Sequence, residues 1–248
     1  MPTQLDPLSL SADLLYAVKT EGDADPFRER LATLERSQLD RALSNREGKL
    51  AFWLNCYNAY AQLLLEEEAD DDLFEGGLLD QWKFFARDQV PVSGVWLSLN
   101  DIEHGLLRSS KLPWGLGYVP RPFPTAFERQ FRLAECDPRI HFALSHGDDH
   151  CPPIAIYSSR DVDEELDIAI EWFLEENVTY DSEDATATVP RLFRRYRGDF
   201  GGTSGIVAFL REYNAVPPDA TPSLEYERID WSADLDVDMD GDSDDVRR

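Results

Sequence analysis

Four side chains able to act as bases, nucleophiles or metal ligands fall within eleven residues: His141, His146, His150 and Cys151. They lie in the stretch DPRIHFALSHGDDHCPPIAIY, residues 137–157, which holds three of the chain's four histidines. A cysteine beside histidines points first to thiol chemistry, in which a thiolate attacks a carbonyl carbon and an imidazole within hydrogen-bond reach takes its proton. The same donors also suit zinc, which accepts imidazole and thiolate together. Against zinc, the spacing fits no standard motif, and adjacent His150 and Cys151 are strained as joint ligands. A third reading is an interaction module in which these polar groups only hold loops together.

The elements around these residues decide whether they can meet. Ile140-His141-Phe142-Ala143-Leu144 alternates, which predicts a half-buried strand with His141 turned away from its apolar face. Residues 145–150 form a polar loop whose backbone amides are candidate oxyanion donors. Pro152-Pro153 lacks amide donors and fixes φ, so the exit towards a second apolar run, Ile154–Tyr157, cannot be a regular ladder. In a regular hairpin Cys151 would face Ser145, about 13 Å from His141. A working Cys–His pair therefore requires an irregular connection.

The longest helical pattern, roughly Glu47–Glu68, is apolar on most faces and predicts a buried central helix, with Asn55 and Asn58 as amides that need partners. Cys56 within it reads as a buried structural thiol. Upstream, Leu8–Lys19 is a short helical pattern, and Asp25-Pro26 opens a helix carrying Phe27, Leu31, Leu34 and Leu39. Pro91 and Ser93-Gly94 predict two short antiparallel strands. Asn100-Asp101-Ile102-Glu103 has the form of a capping box opening a helix through Arg108, which would by itself explain Glu103. A loop rich in Pro, Gly and aromatics covers residues 112–127. Farther on, Asp161 starts an amphipathic helix to Asn177 with Leu166, Ile170, Phe173 and Leu174 inward, residues 179–188 read as a polar loop, and Val189–Tyr196 reads as strand then helix. Asp199-Phe200-Gly201-Gly202 is a turn, Ser204–Tyr213 a helix, and Leu224–Trp231 a final strand. Arg108 and Arg139 read as structural salt-bridge partners, and His104 as a residue facing solvent or supporting its neighbour.

FWLNCYNAYAQLLL at 52–65, SLNDIEHGLLR at 98–108 and DPRIHFALSHGDDHCPPIAIY at 137–157, with weaker matches in VPRLFRRYRGDF at 189–200 and YERIDW at 226–231, resemble the family known as domain of unknown function 547. The resemblance covers roughly residues 45–231. It implies an α+β fold with some similarity to papain-like or transglutaminase-like cysteine hydrolases, and a Glu–His–Cys set that falls here on Glu103, His141 and Cys151. The family often has cysteine where this chain has His146 and a neutral residue where it has His150. Glu–His–Cys order reverses the cysteine-first order of papain-type enzymes, so a shared architecture would be permuted.

Composition sets the class. The hydrophobic share of 42% and aromatic share of 11% predict a folded chain. The expected fold is a helix-rich α+β single domain over residues 1–232 with a small, mainly antiparallel sheet, followed by an acidic disordered tail at 233–248. Asp236-x-Asp238-x-Asp240-Gly241 in that tail copies the start of a calcium loop, but Arg247 stands where the bidentate Glu belongs. The net charge of −25, with arginine far outnumbering lysine, resembles proteins of salt-accumulating organisms and argues against nucleic-acid or anionic-membrane partners. Three unpaired-looking cysteines, no basic leader and no long apolar run predict a soluble cytoplasmic protein. The expected function is a cysteine-dependent hydrolase or acyl transferase acting on peptide or amide bonds, with no cofactor, no bound metal and no assigned substrate.

Overall fold

The computed structural model describes residues 6–67, 78–145 and 155–227. Helix α1 (Pro7–Lys19) starts on the Asp6 side chain, which accepts from the Ser9 amide with Pro7 at the first helical position. The Asp25-Pro26 helix is shorter than its apolar spacing predicts. It ends as α2 (Asp25–Ala32), and a Glu35/Gln38 capping box opens a separate α3 (Arg36–Ala42). Helix α4 (Arg46–Glu67) is the axis of the molecule, with fourteen of its residues buried, and α1 packs along it.

Helix α5 (Leu78–Ala86) follows, where no helix is predicted. The expected hairpin forms as β1 (Val90–Val92) and β2 (Val95–Leu97), with Ser93 and Gly94 both at positive φ in the turn. A π-helix spans Asp101–Leu107, α6 spans Ala126–Phe131, and a 3-10 helix spans Pro138–Phe142. Helix α7 (Val162–Asn177) buries Leu166, Ile170, Phe173 and Leu174 as its pattern requires. A hairpin of β3 (Thr179–Asp181) and β4 (Thr186–Pro190) replaces the predicted polar loop. β4 leads into α8 (Arg191–Arg195), α9 (Thr203–Glu212) follows, and β5 (Ser223–Glu227) lies parallel to β4. The fold is therefore helix-rich α+β, with one two-stranded antiparallel sheet and one mixed three-stranded sheet. No helix among the described residues is long and apolar enough to cross a membrane.

Two apolar clusters share this frame. The first surrounds α4 and takes in α1, the β1–β2 hairpin, the π-helix and α6. The second joins α7, β4, α8 and α9 around Phe142, Phe193 and Phe209. The 3-10 helix bridges them: Ile140 belongs to the first cluster and Phe142 to the second. Residues 140–144 are thus not the predicted strand. Asp137 accepts from the Arg139 amide as an N-cap and Pro138 takes the first helical position, so the chain coils where its alternation suggested extension. The alternation arises here because Ile140 and Phe142 enter different cores while His141 between them meets Asp199 and Tyr196.

Candidate active site

Between the two clusters lies a buried polar group: Glu103, His104, Arg108, His141, Tyr196 and Asp199. Glu103, His104 and Arg108 come from the π-helix and its end. There, i to i+5 bonds replace the α-helical ladder, with the Arg108 amide donating to Glu103 O at 2.8 Å. Capping falls two residues earlier than predicted. Ser98 Oγ donates to Asp101 Oδ2 at 2.8 Å and accepts from the Asp101 amide at 3.0 Å. Glu103 is thereby released from the cap, and its carboxylate accepts from Tyr196 OH at 2.8 Å instead.

His104 does not face solvent. It is buried, and Arg108 Nη1 lies 2.9 Å from its Nδ1. A guanidinium can only donate, so Nδ1 is the acceptor and the ring is neutral with its proton on Nε2. Burial, joined by nearby arginines and opposed by Glu103, holds this imidazole down to about 3. Arg108 is fully buried and structural in its contacts: Nε donates to Asp199 Oδ2 at 2.7 Å, and its Cζ lies 4.6 Å from the Tyr196 ring centroid.

His141 is 3% exposed, so it points into the molecule and not away from it. Its Nε2 lies 3.0 Å from Asp199 Oδ2, and its ring stacks on Tyr196 with centroids 3.8 Å apart and planes 16° from parallel. Burial pushes the imidazole below its usual range against the upward pull of the Asp199 hydrogen bond, which leaves it neutral near pH 7. Burial would raise the Asp199 carboxyl, but the hydrogen bond to His141 and the charge of Arg108 hold it low and ionised. A neutral imidazole that donates Nε2–H to this carboxylate keeps Nδ1 as its basic nitrogen, and no bond to a described residue occupies Nδ1. Glu103 connects to His141 through Tyr196, while the carboxylate bonded directly to the imidazole is Asp199.

Packing fixes this arrangement from several sides. Asp137 and Arg139 at the start of the 3-10 helix join Arg46, Asp163 and Asp167 in an ion-pair network that ties it to α4 and α7. Arg139 is therefore structural, as its sequence position suggested. Asp199 is positioned by contact between two backbones. The Gly198 amide donates to Leu116 O at 2.7 Å, and a Cβ on Gly198 would come within 2.6 Å of the Gly117 carbonyl carbon. Only glycine permits that approach. It docks the 112–125 loop against the turn that carries Asp199.

The two buried amides of α4 tie down loops. Asn58 clasps the chain by donating to Ala143 O at 2.9 Å and accepting from the Ser145 amide at 2.9 Å. Asn55 makes the same clasp on Tyr157, at 2.8 and 2.9 Å. The chain before residue 146 and after residue 154 is thus pinned to one turn of α4. His146, His150, Cys151, the Cys151-Pro152-Pro153 bend and the candidate oxyanion loop lie outside the described residues. Of the three residues singled out by sequence, Glu103 and His141 share this buried group. Cys56 is fully buried, and burial raises its thiol, in keeping with a structural role.

Sequence reasoning misses Tyr196 and Asp199 as chemical groups. Both fall in VPRLFRRYRGDF, the weaker matching segment, and nothing local in that run marks either residue. Cys136 reads from sequence only as one of three thiols. It sits beside the same group, with a ligand atom within 4.8 Å of those of His141 and Asp199.

The family model described as "Protein of unknown function, DUF547" matches residues 41–174. That span covers α4, the π-helix, the 3-10 helix and most of α7, and ends before Tyr196 and Asp199. Comparison with curated proteins and with solved structures returned no match.

Proposed function

From the premise that the chain belongs to the DUF547 family, whose function is unknown, we propose a cysteine-dependent hydrolase or acyl transferase in which Cys151 is the nucleophile and His141 its base. The observation that carries the reading is the state of His141: buried, neutral, with Nε2 on Asp199 and Nδ1 unbonded among the described residues. That is the base–orienter half of a nucleophilic triad. Cys151 lies six residues from Ser145 and six from Tyr157, both pinned to α4. An extended chain of that length spans at most roughly 20 Å, which bounds how far Cys151 can lie from either anchor.

In this reading His141 Nδ1 takes the Cys151 proton as sulfur attacks the carbonyl carbon. It then delivers that proton to the departing amine or alcohol, and water or a second acceptor resolves the thioester. Asp199 fixes the tautomer and stabilises the imidazolium. Glu103 is a positioning residue that acts through Tyr196, whose ring holds the imidazole plane by stacking. Peptide or amide bonds are the substrate class. We read the acidic, lysine-poor surface as that of a cytoplasmic protein from a salt-accumulating organism.

Alkylation by iodoacetamide tests the pair. Near neutral pH Cys151 should react on the order of tenfold or more faster than a free cysteine, and His141→Gln should remove the excess. Asp199→Asn should lower it while leaving the fold intact by circular dichroism. A Cys151 that reacts like a free thiol in the unmutated protein contradicts the reading.

A further inference from the structure

Among the described residues, Cys136 is a metal-competent group beside His141 that the acyl-transfer reading leaves unused. It immediately precedes Asp137, the cap of the 3-10 helix, whereas His141 sits on that helix and Asp199 on the turn after α8. Three separate places in the chain thus bring a sulfur, an imidazole nitrogen and a carboxylate oxygen within 4.8 Å of one another. Zinc bonds of ~2.0–2.3 Å place tetrahedral donors roughly 3–4 Å apart, so a small contraction closes the set on one ion.

A second observation points to a missing ligand. Asp199 Oδ2 takes both Arg108 and His141, while Oδ1 is buried without a partner among the described residues, as is Arg108 Nη2. A buried carboxylate oxygen left bare is costly and is the kind of group that a cation or its water satisfies. Metal-ligating carboxylates are usually hydrogen-bonded on their outer side, the position Arg108 already holds on Asp199.

We propose that Cys136, His141 and Asp199 bind one divalent cation of the zinc class, with water in the fourth position. Thiolate and imidazole together select zinc over magnesium or calcium. Binding removes the Cys136 proton to solvent and leaves His141 neutral, so affinity falls as pH falls. An ion there also occupies the imidazole and should silence acyl transfer. That consequence, unlike binding itself, rests on the proposed role of His141.

The test uses the full chain, purified without nickel resin, stripped with chelator and titrated with cobalt(II), then with zinc against a chromophoric indicator. One equivalent should bind with a thiolate-to-cobalt charge-transfer band. Cys136→Ser should abolish the band and weaken zinc at least about tenfold, with circular dichroism unchanged, while Cys151→Ser keeps both signals. Stoichiometric cobalt without a thiolate band in the unmutated protein, or no binding, overturns the proposal. So does a band that survives Cys136→Ser and is lost in Cys151→Ser, which would put the ion on the other His/Cys run. Zinc that binds with the Cys136 signature yet leaves Cys151 acylation unchanged keeps the site and overturns His141 as the base.

Discussion

His104 and His141 are both buried imidazoles held neutral, and that state links stability to pH. Their folded values lie below the unfolded one, so between them the unfolded chain binds more protons. Their contribution is complete above about pH 6.5 and is lost as pH falls through that value towards the folded ones, near 3 for His104. The decline should start well above the range where carboxylates protonate, by about 1 kcal/mol per pH unit for each imidazole at its steepest. Urea unfolding between pH 7.5 and 5 in concentrated salt checks it, since salt screens the opposing relief of negative charge. A His104→Gln variant should show a shallower slope, and a slope equal to that of the unmutated chain would mean that His104 does not contribute to it.

Elements hold the site through a few buried amides and glycines. Asn55→Ala leaves the Tyr157 amide and carbonyl without partners inside the core, at a cost of about 2–4 kcal/mol read as a lower urea midpoint. A loss within experimental error would mean that the clasp does not anchor the chain. Much of this level is legible from sequence. Helix α4, the inward face of α7, the β1–β2 hairpin and the need of Asn55 and Asn58 for partners follow from periodicity, turn residues and the cost of unpaired buried amides. The 3-10 helix is not, because alternation at 140–144 presumes one core and one solvent face, and this segment has a core on each side. Asp137-Pro138 carries the same helix-start signal as Asp25-Pro26, but the alternation after it outweighs that signal. The family resemblance groups Glu103 with His141, whereas the register of the cap beside it is not legible from the residues. Tyr196 and Asp199 reach His141 only through long-range packing, in which Gly117 and Gly198 allow two backbones to touch.

At the scale of the molecule the chain carries a net charge of −25. Spread over one domain it repels itself, and the Debye length falls from ~10 Å at 0.1 M salt to ~3 Å at 1 M. The thermal midpoint should therefore rise over that range of potassium chloride, and a midpoint independent of salt would separate the acidity from stability. Ion pairs on the surface should add little to the trend. The fold as a whole places a buried polar group with His104 and His141 between two cores, and in the proposed reaction Cys151 uses His141. The most direct test is to mix the protein with an activated ester, quench, and map the acyl group by mass spectrometry. One acyl group should form on Cys151, be lost in Cys151→Ser and form on the order of 10²-fold more slowly in His141→Gln. Acylation that settles on Cys136, or that proceeds at the same rate without His141, would contradict the proposed reaction.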